Sequence, residues 1–151
     1  MTASKEITNP SVMVKTVFFK APPEFVWPYL VEAEKLGRWF HAPKTDYEVG
    51  ADYQMLSTEG ERKGQPLLWG RVLEMSPPVR LVHTFTHPHL QERETLCTWT
   101  LDAVEGGTRL TLIHEGLMEA DDALGSLASH DAGWDEHFVK LRELVAETVD
   151  A

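Results

Sequence analysis

The sequence predicts an α+β domain: a curved antiparallel sheet of about six to seven strands wrapped around one long C-terminal helix, with two short helices after the first strand. Three observations predict it. From residue 45 to 115 the hydrophobic pattern runs with a period of two, and after Gly116 it changes to 3.6. Turn residues cut the period-two region into short runs at Gly50, Glu59-Gly60, Pro77-Pro78, His87-Pro88 and Gly106-Gly107. These joints are too short for crossover helices, so consecutive strands must lie antiparallel.

Each element follows in order. Residues 1–11 are polar and read as a flexible lead-in to a single domain over 12–149. Residues 12–20 are β-branched and aromatic, which predicts the first strand. Pro22 and Pro23 suit the first turn of a helix, where a missing N–H costs nothing. Phe25, Val26, Tyr29 and Leu30 continue it, and Pro28 keeps it short or kinks it. Residues 32–36 predict a second short helix closed by Gly37. Strands are predicted over 44–49, 51–57, 66–75, 79–86, 92–102 and 107–115. In the last, Leu110, Leu112 and His114 share one face. Trp134, Phe138, Leu141, Leu144 and Val145 form the stripe of the C-terminal helix, which starts as early as Asp121. Gly125 and Gly133 predict a kink or break near 125–133. This helix is the only element long enough to cover the apolar face of the sheet.

Composition bounds the function. The chain has 151 residues, a one-domain length, and a chain of that size buries roughly 68–70% of its unfolded surface. Acidic residues outnumber basic ones 24 to 14, a net charge of −10. With no basic stripe, nucleic acid and anionic membrane surfaces are excluded as expected partners. The N-terminus shows no apolar signal region, and no apolar run approaches 18 residues, so membrane insertion is not expected. Cys97 is the only cysteine, which fits a cytoplasmic protein without disulfides.

The motifs now resemble a known family. They are Ala21-Pro22-Pro23-Glu24-x-Val26-Trp27, Leu36-x-x-Trp39-Phe40, Tyr47-x-x-Gly50-x-x-Tyr53, Gly70-x-Val72-x-Glu74 and Pro77-Pro78-x-x-Leu81. Gly107-Thr108-Arg109-Leu110-Thr111-Leu112-x-His114-x-Gly116 and Gly133-Trp134 complete the series, from about Val12 to Val145. In this order they resemble the helix-grip superfamily of START domains, birch-pollen-allergen-like proteins and bacterial polyketide cyclases. Within it, the chain is similar to the C-terminal domain of the activator of the heat-shock protein 90 ATPase, in its stand-alone bacterial form. Phe85 departs from the pattern, standing where the family carries a tryptophan. With 151 residues, the chain is not expected to carry the N-terminal chaperone-docking domain of the eukaryotic activator.

The resemblance implies a cavity between sheet and helix. Its expected wall is Trp39, Phe40, Tyr53, Met55, Trp69, Leu81, His83, Phe85, Trp99, Leu112, His114, Trp134 and Phe138. A small apolar or aromatic molecule is the expected ligand. Trp39, Phe40, Trp69 and Trp134 would stack on it, and His114 would supply one hydrogen bond. Gly133 would let sheet or ligand approach the helix closely. The competing reading is that these rings fill the core. The alternative functions are an enzyme of polyketide cyclase or hydrolase type, with His114 and Glu74 as its proton-transfer pair, and an interaction module for a chaperone or for a homodimer. His87 and His89 are the only metal candidates, and an exposed hairpin tip explains them more simply. Cys97 alternates with Trp99 and reads as a small core residue rather than a nucleophile. No phosphate loop or nucleophile elbow is present, so no cofactor is expected.

Overall fold

The computed structural model describes residues 12–58, 60–90, 93–117 and 123–150. Among the described residues, six strands and four α-helices are ordered β1 (Met13–Phe19), α1 (Pro23–Val26), α2 (Pro28–Val31), α3 (Ala33–Trp39), β2 (Asp52–Leu56), β3 (Pro66–Ser76), β4 (Arg80–Phe85), β5 (Thr95–Val104), β6 (Gly107–Glu115) and α4 (Ala123–Asp150). The strands form one sheet in the order β1-β6-β5-β4-β3-β2, and every pairing is antiparallel. Strands β2 to β6 are therefore a meander, and β1 closes onto β6 at the far edge.

Three expectations are corrected. Residues 44–49 form no strand. Their polar groups are tied to the helices instead: Tyr47 N–H donates to Val31 O at 2.8 Å, and Asp46 Oδ1 accepts the Ala33 N–H at 2.8 Å. The second bond serves an N–H at the start of α3 that no intrahelical acceptor reaches. Gly37 does not close α3, which runs on to Trp39. Its missing side chain admits Ala42, whose Cβ would lie 2.9 Å from a Cβ at Gly37. The long helix is a single span of 28 residues, with no interruption at Gly125 or Gly133. The lead-in at 1–11 and the expected helix start at Asp121 lie outside the described residues.

Alternation sets the inner face of the sheet. Met13, Val17 and Phe19 of β1, Tyr53 and Met55 of β2, and Leu68 and Val72 of β3 are all buried. So are Leu81, His83 and Phe85 of β4, Cys97, Trp99 and Leu101 of β5, and Leu110, Leu112 and His114 of β6. Strand β3 bends at a bulge between Val72 and Glu74.

Helix α4 lies against this face in two unlike halves. Trp134, Phe138, Leu141 and Val145 are buried, and each contributes roughly 1.5–3 kcal/mol of burial. No described residue from 123 to 133 is fully buried. Polar contacts hold that half, with Lys15 of β1 ion-paired to Asp131 at 2.6 Å and to Asp135 at 2.8 Å.

Candidate functional site

The register brings the predicted residues into rows. Leu81, Trp99 and Leu112 stand opposite one another across β4, β5 and β6, and so do His83, Cys97 and His114. The small Cys97 leaves room for an imidazole on either side, and burial pushes its thiol pKa well up. Helices supply the facing rings. Trp39 stacks on Phe138 at 6.0 Å, Trp134 on Phe138 at 5.7 Å and Phe40 on Trp134 at 5.1 Å. Trp99 meets Trp134 and Phe138 edge-on at 5.4 and 6.0 Å. These separations are those of favourable aromatic pairs.

Two tryptophans fix two histidines. Trp99 Nε1–H donates to His83 Nε2 at 2.9 Å, so the proton of His83 is on Nδ1, which donates to Thr84 O at 2.9 Å. Trp134 Nε1–H donates to His114 Nδ1 at 3.1 Å. The proton of His114 is therefore on Nε2, facing Thr95 Oγ1 at 2.8 Å, and Thr95 passes its own proton to Phe85 O at 2.6 Å. Both imidazoles are neutral. Burial pushes His83 down to about 4. Burial, and then the neighbouring His130, His83 and His87, hold His114 well below its usual range. His114 is a core histidine with both ring nitrogens in use, not a free anchor.

Several candidates lie elsewhere. Trp69 is on the opposite face of β3, since its neighbour Leu68 takes the inward position opposite Met55. Glu74 does not reach His114. It pairs with Arg80 at 2.9 Å on partly exposed side chains, which removes the proposed proton-transfer pair. A Cβ at Gly133 would meet no atom within 4 Å, so the sheet makes no close approach there. His87 turns to α4, where its Nε2 lies 2.8 Å from His130 Nε2. The His89 side chain lies outside what is described. No cluster of three metal-ligating side chains occurs among the described residues.

Sequence reading missed His130. It donates from Nδ1 to Ser126 O at 2.7 Å and sits with its ring 5.5 Å from His114. Its signal was the helical period, because His130, Trp134 and Phe138 are spaced by four. Sequence reading also missed an open cleft of about 1230 Å³ on the β2–β3 side of the sheet, lined among others by Tyr47, Tyr53, Trp69 and Arg71.

A sheet gripping one long helix over an aromatic layer defines a helix-grip α+β domain. The chain belongs to the family of Activator of Hsp90 ATPase homolog 1-like proteins, whose model matches residues 20–146. A solved protein of Mesorhizobium loti is 23% identical, with a TM-score of 0.77 over 91% of this chain and 98% of its own. An HSP90 activator from Plasmodium falciparum is 20% identical, with a TM-score of 0.58 over 69% of this chain and 71% of its own. The Aha1 dimer from Colwellia psychrerythraea is 17% identical, with a TM-score of 0.71 over 89% of this chain and 95% of its own. At these identities the likeness carries the fold alone. No curated protein matches the chain.

Proposed function

We propose that this chain binds a small apolar or aromatic molecule between the sheet and α4, at the end of the helix that carries Ser126, His130 and Trp134, and that it does so in the cytoplasm. One observation carries the reading. Ser126 Oγ is the only buried side-chain polar atom without a hydrogen-bond partner among the described residues. Buried hydroxyls are normally paired, so this one invites an acceptor or donor from outside the chain. The surroundings suit such a guest. Phe85, His114 and Trp134 supply ring faces near His130. The covering half of α4 is held by polar contacts rather than by a buried apolar stripe. Trp39, Phe40, Tyr53, Met55, Leu81, His83, Trp99, Leu112 and Phe138 form the packed floor and walls behind it.

The test is native mass spectrometry of the protein purified from its own host, compared with the same sample denatured. A non-covalent adduct on the order of a few hundred daltons is expected, matching a ligand that fills a typical pocket. It should vanish in Trp134→Ala and weaken in Ser126→Ala. A bare chain, or an adduct indifferent to Trp134, would overturn the reading.

The same spectrum tests self-association. Edge strand β1 exposes Phe18 at 60% and Val14 at 39%, and the Colwellia relative is a dimer. A species of twice the chain mass that Phe18→Ser dissociates would support a homodimer through β1. Contact with a chaperone is suggested by the Plasmodium relative, an HSP90 activator, and co-purification with heat-shock protein 90 would test it.

A further inference from the structure

We infer that the guest of the site between the sheet and α4 is an apolar or aromatic carboxylic acid, taken up together with a proton that His87 and His130 hold; this rests on the existence of that site. Two imidazoles meet there from distant parts of the chain. His87 Nε2 lies 2.8 Å from His130 Nε2, with the ring planes 19° from parallel. His130 Nδ1–H donates to Ser126 O at 2.7 Å. In the neutral pair His130 Nε2 is therefore the acceptor and His87 Nε2–H the donor. A proton added to the pair still leaves one hydrogen between the two Nε2 atoms, and it makes that bond charge-assisted. His83 and His114 lack this option. Each accepts an indole N–H on its unprotonated nitrogen, so a proton there would break the bond from Trp99 or Trp134.

The inner layer decides which charge a guest can carry. Among the described residues no carboxylate, lysine or arginine is buried. A cationic guest would find no counter-charge, whereas a carboxylate gains one as soon as a histidine takes a proton. The groups around the pair do not compete for that role. His114 of β6, with its ring 5.5 Å from His130, is neutral. On α4 itself, Asp131 and Asp135 are held by Lys15 of β1. Burial lowers the pKa of His130 and keeps the empty pair neutral, and a carboxylate beside it would reverse that shift. Ser126 Oγ, one turn before His130, adds an unpaired hydroxyl. Phe85 and Trp134 offer rings to the apolar body. A net charge of −10 disfavours entry of a bare anion, and the accompanying proton cancels the charge of the acid.

The probes are 2-naphthoate and its uncharged counterpart 2-naphthamide. Each is titrated into the 15N-labelled protein while the Trp134 indole N–H signal is followed, and calorimetry in phosphate and in Tris counts protons. Naphthoate is expected to shift the Trp134 signal saturably and to take up about one proton at pH 7, because a histidine neutral in the empty site becomes charged in the filled one. Its affinity should fall about fivefold from pH 6.5 to 7.5, while that of naphthamide changes less than twofold. His130→Gln and, separately, His87→Gln should abolish the proton uptake and flatten the pH profile of naphthoate, leaving naphthamide unchanged. Naphthamide binding as tightly as naphthoate, with no proton taken up by either, would overturn the acid and leave the site standing. Proton uptake that survives in both histidine variants would overturn the role of the pair. If neither probe moves the Trp134 signal, the acid and the site fall together.

Discussion

Replacing His83 by glutamine should change how the protein responds to acid. His83 is buried and neutral, with its pKa pushed down to about 4 by loss of water. In the unfolded chain a histidine titrates near 6.5. The unfolded state therefore binds the proton first. The stability contributed by a neutral His83 is fully present above pH 6.5 and is lost as pH falls toward 4. Integrated over that interval, the loss between pH 7 and pH 4.5 is about 2.5 kcal/mol. Glutamine places an acceptor oxygen near the position of Nε2, so Trp99 keeps its partner, but glutamine does not titrate. At pH 7 the variant should be less stable by about 1–2 kcal/mol, because one shaped hydrogen bond to Thr84 is lost. By pH 4.5 it should equal or exceed the wild type. The assay is urea unfolding by tryptophan fluorescence at pH 7, 6, 5 and 4.5, comparing differences in free energy rather than midpoints. If both proteins lose stability in parallel over this range, His83 is not a neutral buried imidazole, and the tautomer derived from Trp99 is wrong.

Other outcomes follow from single contacts. Gly133→Ala should stabilise the protein by about 0.5–1 kcal/mol, because the position is helical and a Cβ meets nothing within 4 Å; a lowered melting temperature would count against an uninterrupted α4. Cys97, buried with its thiol pKa raised, should react with an aromatic disulfide reagent only through unfolding, so its labelling rate should follow urea concentration; fast labelling of the native protein would contradict its burial. Lys15→Met should leave Asp131 and Asp135 as like charges one turn apart. Amides of residues 124–133 should then exchange faster while those of β5 and β6 hold, and a uniform change would refute the role given to Lys15.

Period and turn chemistry made most of the fold legible. Leu110, Leu112 and His114 share one buried face, as their alternation implies, and the stripe from Trp134 to Val145 is the buried one. What failed did so where local pattern was overruled from a distance. Residues 44–49 alternate like a strand, but Val31 and Ala33 take their polar groups. The strong apolar character of Trp69 points it inward, yet the adjacent Leu68 occupies that place and a one-residue step reverses the face. Only residue type links Glu74 to His114, and no sequence rule reports that Arg80, six residues on, reaches Glu74 first. The link from His130 to His87 spans 43 residues and was invisible for the same reason.

The wiring of the inner layer constrains any chemistry assigned to it. A general acid or base must have a nitrogen that can meet the substrate and a pKa near the working pH. His114 has neither, since Trp134 and Thr95 occupy its two nitrogens and burial keeps it from taking a proton. His83 is engaged in the same way by Trp99 and Thr84. A catalytic reading would require one of these partners to let go, leaving a buried indole N–H or hydroxyl unpaired at about 1–3 kcal/mol each. Ligand binding asks for less. A guest that hydrogen-bonds the unpaired Ser126 hydroxyl and rests on the Phe85 and Trp134 rings leaves both tryptophan–histidine pairs intact. The layer is thus built to hold a shape, and the neutral imidazoles belong to that shape.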